Sequence, residues 1–216
     1  MKLSKKFLPL ALLACGGGLH AEKSAFFIGG IYEVGGSTFK ARISGKKPNS
    51  MNRTAITQGV GVRVGYNLLF GEKGYVGLRF YGFYNWGLTN FGKVVWNRNA
   101  NFGKNTFNLS GYGVGADLLI NLFNGEKSNL GVFGGVALGG NTWYAVHGPG
   151  GATRFQWMVN VGVRAVIARH SAFEVGVKIP MLATHVQGRV DGGVFNDFSL
   201  SLKRDWAFTA AYYFLF

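Results

Sequence analysis

One cysteine, four prolines and nine acidic residues are all that this 216-residue chain holds of those types. The lone Cys15 excludes a disulfide framework and any Cys-pair metal site. No His-x-x-x-His pattern occurs and the carboxylates are scattered, so no metal or other cofactor is expected. The glycine string from Gly59 through Gly61 to Gly65 misses the G-x-G-x-x-G spacing and opens no helix, which excludes a dinucleotide fingerprint. Beyond the extreme N-terminus, no apolar run reaches the length of about 18 residues that a membrane-spanning helix needs. If the chain crosses a membrane, it does so with strands. Acid is scarce against 23 Lys and Arg, for a formal charge of +14. The cations are spread over alternate strand positions and loops, with no basic helix or run, so nucleic acid is not the expected partner. An anionic lipopolysaccharide surface is.

What is abundant is glycine (35 residues) and aromatic side chains, 19 Phe, 9 Tyr and 5 Trp. Glycine weakens helices, whereas aromatic residues suit strands. The chain ends on Trp206, Phe208, Ala210, Tyr212, Phe214 and Phe216 at every second position. That period belongs to a strand with one face in an apolar medium. Left open, such an edge would aggregate, and closing it into a barrel removes the edge.

Seven further alternating segments precede it, near 25–34, 57–70, 75–87, 107–123, 129–145, 154–168 and 172–186. Their connections alternate between short turns (71–74, 124–128, 169–171) and longer loops (35–56, 88–106, 146–153, 187–203). Short periplasmic turns and long external loops mark transmembrane barrels. The expected fold is therefore an all-β, eight-stranded, antiparallel up-and-down barrel, with both termini on the periplasmic side.

Parity assigns the faces. Lipid receives Val60, Val62 and Val64 of the second segment, and Val76, Phe80 and Tyr84 of the third. It also receives Val114 and Leu118 of the fourth, Val161 and Val163 of the sixth, and Phe173 and Val175 of the seventh. No charge falls on these faces, where Lys or Arg costs roughly 2–4 kcal/mol at mid-depth. Trp86, Trp143, Trp157 and Trp206 are expected in an aromatic girdle at the long-loop end, with Tyr75, Phe123, Phe173 and Phe216 in its counterpart.

Six charges point inward: Arg63, Arg79, Asp117, Arg164, Glu174 and Lys178. An eight-stranded interior is just wide enough for side chains to fill. The cluster reads either as a mutually paired plug or as a weakly anion-selective ion path. Inward glycines such as Gly61, Gly115 and Gly135 would make room for the guanidinium groups. Outside, loop one offers Lys40, Arg42, Lys46, Lys47 and Arg53. Loop two offers Lys93, Trp96, Arg98 and Lys104. These are the interaction candidates, for lipopolysaccharide or for a host-surface ligand. Catalysis is not expected. The one conceivable triad fragment, a lipid-modifying one, joins His185 with Asp191 or Ser199, and no spacing supports it.

Residues 1–21 read as an export signal. Lys2, Lys5 and Lys6 precede the apolar stretch from Phe7 to Ala14, and Leu19-His20-Ala21 forms a cleavage site. The barrel domain would then be 22–216. Leu12-Leu13-Ala14-Cys15 is also similar to a lipobox, which would instead make Cys15 a lipidated N-terminus.

Four blocks stand out: GYGVGADLLINLF (111–123), LGVFGGVALGGNTW (130–143), FQWMVNVGVRAVIARHSAFEVGVKIPML (155–182) and the aromatic ending from Trp206 to Phe216. Together they resemble the Helicobacter outer-membrane protein family. The resemblance implies a barrel with a C-terminal insertion signal, here Tyr212, Phe214 and Phe216, presented to the barrel-assembly machinery. Some family members carry large N-terminal adhesin domains and others are described as porins. This chain has only the 35–56 loop where such a domain would stand.

Overall fold

A computed structural model of the protein describes residues 24–45, 49–71, 74–97, 100–125, 128–146, 151–189 and 195–216. The signal segment 1–21 lies outside these residues. Nine strands are formed: β1 (Ala25–Gly45), β2 (Asn49–Phe70), β3 (Val76–Asn97), β4 (Ala100–Asn124), β5 (Ser128–Ala145), β6 (Gly151–Ile167), β7 (Ser171–Pro180), β8 (Thr184–Arg189) and β9 (Phe195–Leu215). Each pairs antiparallel with its neighbours, and β1 also pairs with β9, which closes the sheet.

β7 and β8 are two pieces of one stave. β9 pairs with β7 through Ala207–Phe214 and with β8 through Asp197–Leu202. The barrel is therefore eight-stranded, as the alternation predicts. The seventh segment is not continuous, however. It breaks after Pro180, whose nitrogen has no hydrogen to donate to a ladder.

The short turns sit where expected. Gly71 and Gly74 adopt φ of +72° and +56°, and the Gly74 amide donates to the Gly71 carbonyl at 3.2 Å. Between β6 and β7, Ala168 and Arg169 take φ of 53° and 65°, the left-handed backbone that tight hairpins require.

The long loops do not sit where expected. Most of 35–56 and 88–106 is β-ladder, with Arg42 still paired to Ser50 and Lys93 to Lys104. A strand of 21 residues, such as β1, has a contour of roughly 70 Å, about twice the 9–11 residues a membrane requires. Apolar alternation reports contact with lipid. Once a hairpin rises past the lipid its outward side chains turn polar, and the alternation fades although the hydrogen bonding continues.

The outer face carries the apolar residues assigned to it, from Phe70, Phe173 and Phe216 at the short-turn rim to Trp86 and Trp206 near the other. Trp143 is a correction: it is 1% exposed and points inward. Val136 and Leu138 of β5 face outward, so odd positions such as Phe133, Ala137 and Trp143 face the lumen.

The interior is layered. Lowest are two storeys of ion pairs. Above them runs a chain of buried hydroxyls, Ser37 to Thr57 to Thr89, with both links at 2.5 Å. Higher still, Phe39, Phe91, Leu109, Trp143 and Leu202 form an apolar cluster inside the projecting hairpins.

Candidate functional site

All six inward charges that parity identifies are buried in the lumen. Arg79 on β3 is the hub of the lower storey. Its Nε and Nη2 donate to Asp117 Oδ2 on β4, at 2.9 and 2.6 Å, and its Nη1 donates to Glu174 on β7. Arg164 on β6 shares Glu174 at 3.7 Å and donates to Asn121 Oδ1 at 3.3 Å. Neighbouring strands carry the Arg79–Asp117 and Arg164–Glu174 pairs directly opposite one another, so each forms as the ladder forms. The Arg79–Glu174 bond crosses the lumen and exists only in the closed barrel.

The upper storey contains two residues that the sequence reading missed. Glu33 on β1 is its anion. Lys178 Nζ donates to one carboxylate oxygen, and Arg204 Nη1 donates to the other at 2.6 Å. Glu33 was legible, because it alternates with the lipid-facing Ile28 and Tyr32. Arg204 was not, because it shares the even parity of Trp206 and Phe208, which face lipid. A β-bulge at Asp205 turns it inward. Gly36 pairs with Trp206 but Ser37 with Arg204, so one residue is skipped and the parity of β9 reverses above it.

Five buried cations (Arg63, Arg79, Arg164, Lys178, Arg204) thus face three carboxylates (Glu33, Asp117, Glu174) among the described residues. Arg63 has no carboxylate partner among them and instead lies 4.1 Å from the centre of the Tyr81 ring. The lumen glycines admit partners other than guanidinium groups. A Cβ on Gly115 would stand 2.3 Å from the Tyr81 ring, and one on Gly135 would stand 2.2 Å from Asp117 Oδ1. Among the described residues, cavities of about 30 and about 10 Å³ lie within these storeys, with room for isolated waters.

The second group is on the outside, above the aromatic girdle. Lys40 and Arg42 are exposed on the outer face of β1, and Lys203 on β9 is half-buried beside them. Lys40 pairs with Asn52 and Ser201, Arg42 with Ser50 and Ser199, and Lys203 with Thr38. Lys40 and Arg42 are two residues apart, a spacing of about 7 Å. One carboxylate, Asp205, accepts from Thr38 Oγ1 at 2.6 Å in the same region. Arg53 is exposed near the mouth but has the inward parity of Ala55 and Thr57. Lys46, Lys47 and Arg98 lie outside the described residues. Lys93, Trp96 and Lys104 are in strands, not loops.

Other candidates stay apart. His185 is exposed on β8 opposite Ser201, with no hydrogen bond to its ring among the described residues, and Asp191 and His147 lie outside them. His170 Nδ1 is 2.8 Å from the Leu215 carbonyl, and its ring stacks on Phe214. No metal-binding group of three ligands occurs among the described residues.

Residues 61–216 match the sequence model of the Helicobacter outer membrane protein family. The chain belongs to that family. Like it, this protein is an outer-membrane β-barrel. No curated protein matches the chain. Among solved structures, outer membrane protein OprG from Pseudomonas aeruginosa is similar at 12% identity and a TM-score of 0.52, over 93% of this chain and 99% of that one. Neisserial surface protein A is similar at 12% identity and 0.40, over 90% and 100%. Ail, the attachment invasion locus protein of Yersinia pestis, is similar at 12% and 0.35, over 90% and 99%. At these identities OprG shows the shared barrel fold, and the other two add nothing to it.

Proposed function

We propose that this protein is a plugged outer-membrane scaffold whose long hairpins face outward and whose basic rim binds anionic headgroups, lipopolysaccharide phosphate first. The observation that carries this reading is the outward Lys40, Arg42 and Lys203 grouped above Trp206. Aromatic rings of that kind settle at the headgroup level, so cations just above them meet the phosphates of the outer leaflet. Serine and asparagine neighbours supply further hydrogen bonds. Each cation near an anionic surface contributes about 1 kcal/mol, so three contribute about a hundredfold in affinity. A polyanionic host-surface ligand would meet the same chemistry.

What supports this orientation is the signal-like segment 1–21 and the aromatic C-terminal strand, the form an assembly machinery would take up from the periplasm. The test is titration of the refolded barrel with lipid A and with dephosphorylated lipid A. The triple variant Lys40→Gln, Arg42→Gln, Lys203→Gln should bind lipid A about a hundredfold more weakly than wild type, and added salt should narrow the gap. Equal affinity of a folded triple variant would end the proposal.

The excess of two cations among the described lumen residues supports a second reading, a small anion-preferring channel. Planar-bilayer recordings in asymmetric KCl separate the two. A plug stays silent, whereas a channel gives reproducible steps with an anion-preferring reversal potential.

A further inference from the structure

The barrel wall has an incomplete seam. β6 pairs with β7 from Ile167 only as far as Met158, opposite Pro180, and β8 pairs with β9 alone. Among the described residues no ladder joins Gly151–Phe155 of β6 to β8, although the opposite edge of β6 is fully paired with β5. The seam is held at its lower end by one backbone bond, from the Met181 amide to the Trp157 carbonyl at 3.0 Å, and beyond it by a side chain. Gln156 donates from Nε2 to the Leu182 carbonyl and accepts from the Leu182 amide, both at 2.9 Å, imitating one rung of sheet. Phe155, Met181 and Leu182 are exposed around this latch, at the level of the outward aromatic residues.

Directly behind the latch lies the cavity of about 30 Å³, bordered by Gln156 and Pro180 and walled by glycines 59, 87, 111 and 140. Arg204 lines it and is 7% exposed. Its Nη1 is bound to Glu33, but Nε and Nη2 are buried without a partner among the described residues. Those two nitrogens form the edge of the guanidinium that grips two oxygens in parallel. The Asn141 carboxamide oxygen, in the same wall, also lacks a partner among the described residues. An amide there can turn its NH₂ to an anion. The cavity has room for a small polar group, such as the two oxygens of a carboxylate.

We infer that this chamber binds the carboxylate of a single-chain amphiphile, a fatty-acid-like monoanion. Its head lies on the free edge of Arg204 and its tail leaves through the β6–β8 seam past Phe155, Met181 and Leu182. The ligand satisfies two buried donors and offsets part of the excess lumen charge. It enters from the lipid side, without crossing the apolar cluster at the mouth.

The test uses the refolded, full-length barrel in detergent and dodecanoate labelled with ¹³C at the carboxyl. A bound carboxyl signal distinct from the micellar one is expected. Unlabelled dodecanoate should displace it, and dodecanol should be at least tenfold weaker. Acetate should also be at least tenfold weaker. Arg204→Lys, which keeps the charge but loses the paired donors, should lower dodecanoate affinity at least tenfold in protein whose gel mobility shows it folded. Equal displacement by dodecanol would remove Arg204 from the site. Equal displacement by acetate would leave an anion site with no role for the seam. No bound signal from folded wild type would overturn the inference outright, so the result does not depend on whether the variant folds.

Discussion

Replacing Glu174 with glutamine tests whether ion pairing stabilises the lower lumen. The change keeps side-chain volume and removes one charge. Glu174 is buried and shared by Arg79 and Arg164, on β3 and β6. After the change Arg79 retains Asp117 at 2.6 Å, Arg164 loses its contact with the Glu174 carboxylate, and the cation excess among the described lumen residues rises from two to three. Breaking a buried pair while leaving its partner charged costs about 3–5 kcal/mol. The surviving Asp117 contact places the expected loss near the lower figure, about 3 kcal/mol. Arg63→Gln is the matched control. It removes a cation that has no carboxylate partner among the described residues, and it loses chiefly the Tyr81 contact, worth about 1–2 kcal/mol. Relief of the excess charge offsets part of that loss, so the expected net cost is about 1 kcal/mol or less. Reversible guanidinium titrations in detergent, followed by tryptophan fluorescence, measure both variants against wild type. The slope should stay constant and the midpoint should shift. Equal costs for the two variants, or a Glu174→Gln barrel within about 1 kcal/mol of wild type, would refute the idea that paired charge holds the lumen together.

Glu33→Gln should destabilise by a similar 3–5 kcal/mol, because Lys178 and Arg204 both lose their carboxylate; the same titration checks it. Gly113→Ala should cost about 1–3 kcal/mol, since its Cβ would stand 2.0 Å from the Leu138 carbonyl oxygen, whereas Gly111→Ala meets nothing within 4 Å and should leave the midpoint unchanged. Intact mass of the protein purified from outer membranes should correspond to a chain starting at Glu22; an acylated chain starting at Cys15 would show lipidation instead.

Lipid contact made much of this protein readable in one dimension. Period-two alternation is local, so each membrane-facing segment, its parity and six of the inward charges could be found without knowing a neighbour. Arg79 and Asp117 stand out for the same reason: a charge amid an apolar alternation has only the lumen to enter. Trp143 and Glu33 obey the same rule, since odd positions of β5 and β1 face the lumen.

Three features belong to the tertiary structure alone. Arg79 meets Glu174, and Lys178 meets Glu33, across 95 and 145 residues of sequence, so those partnerships appear only when the sheet closes. Arg204 enters the lumen because one skipped residue reverses the parity of β9, an event set by pairing with β1 and invisible in composition. The projecting hairpins and the β6–β8 seam likewise depend on which backbone groups find partners. Sequence alternation records where a strand touches lipid. Hydrogen bonding decides where the strand ends and where the wall of the barrel is left unsewn.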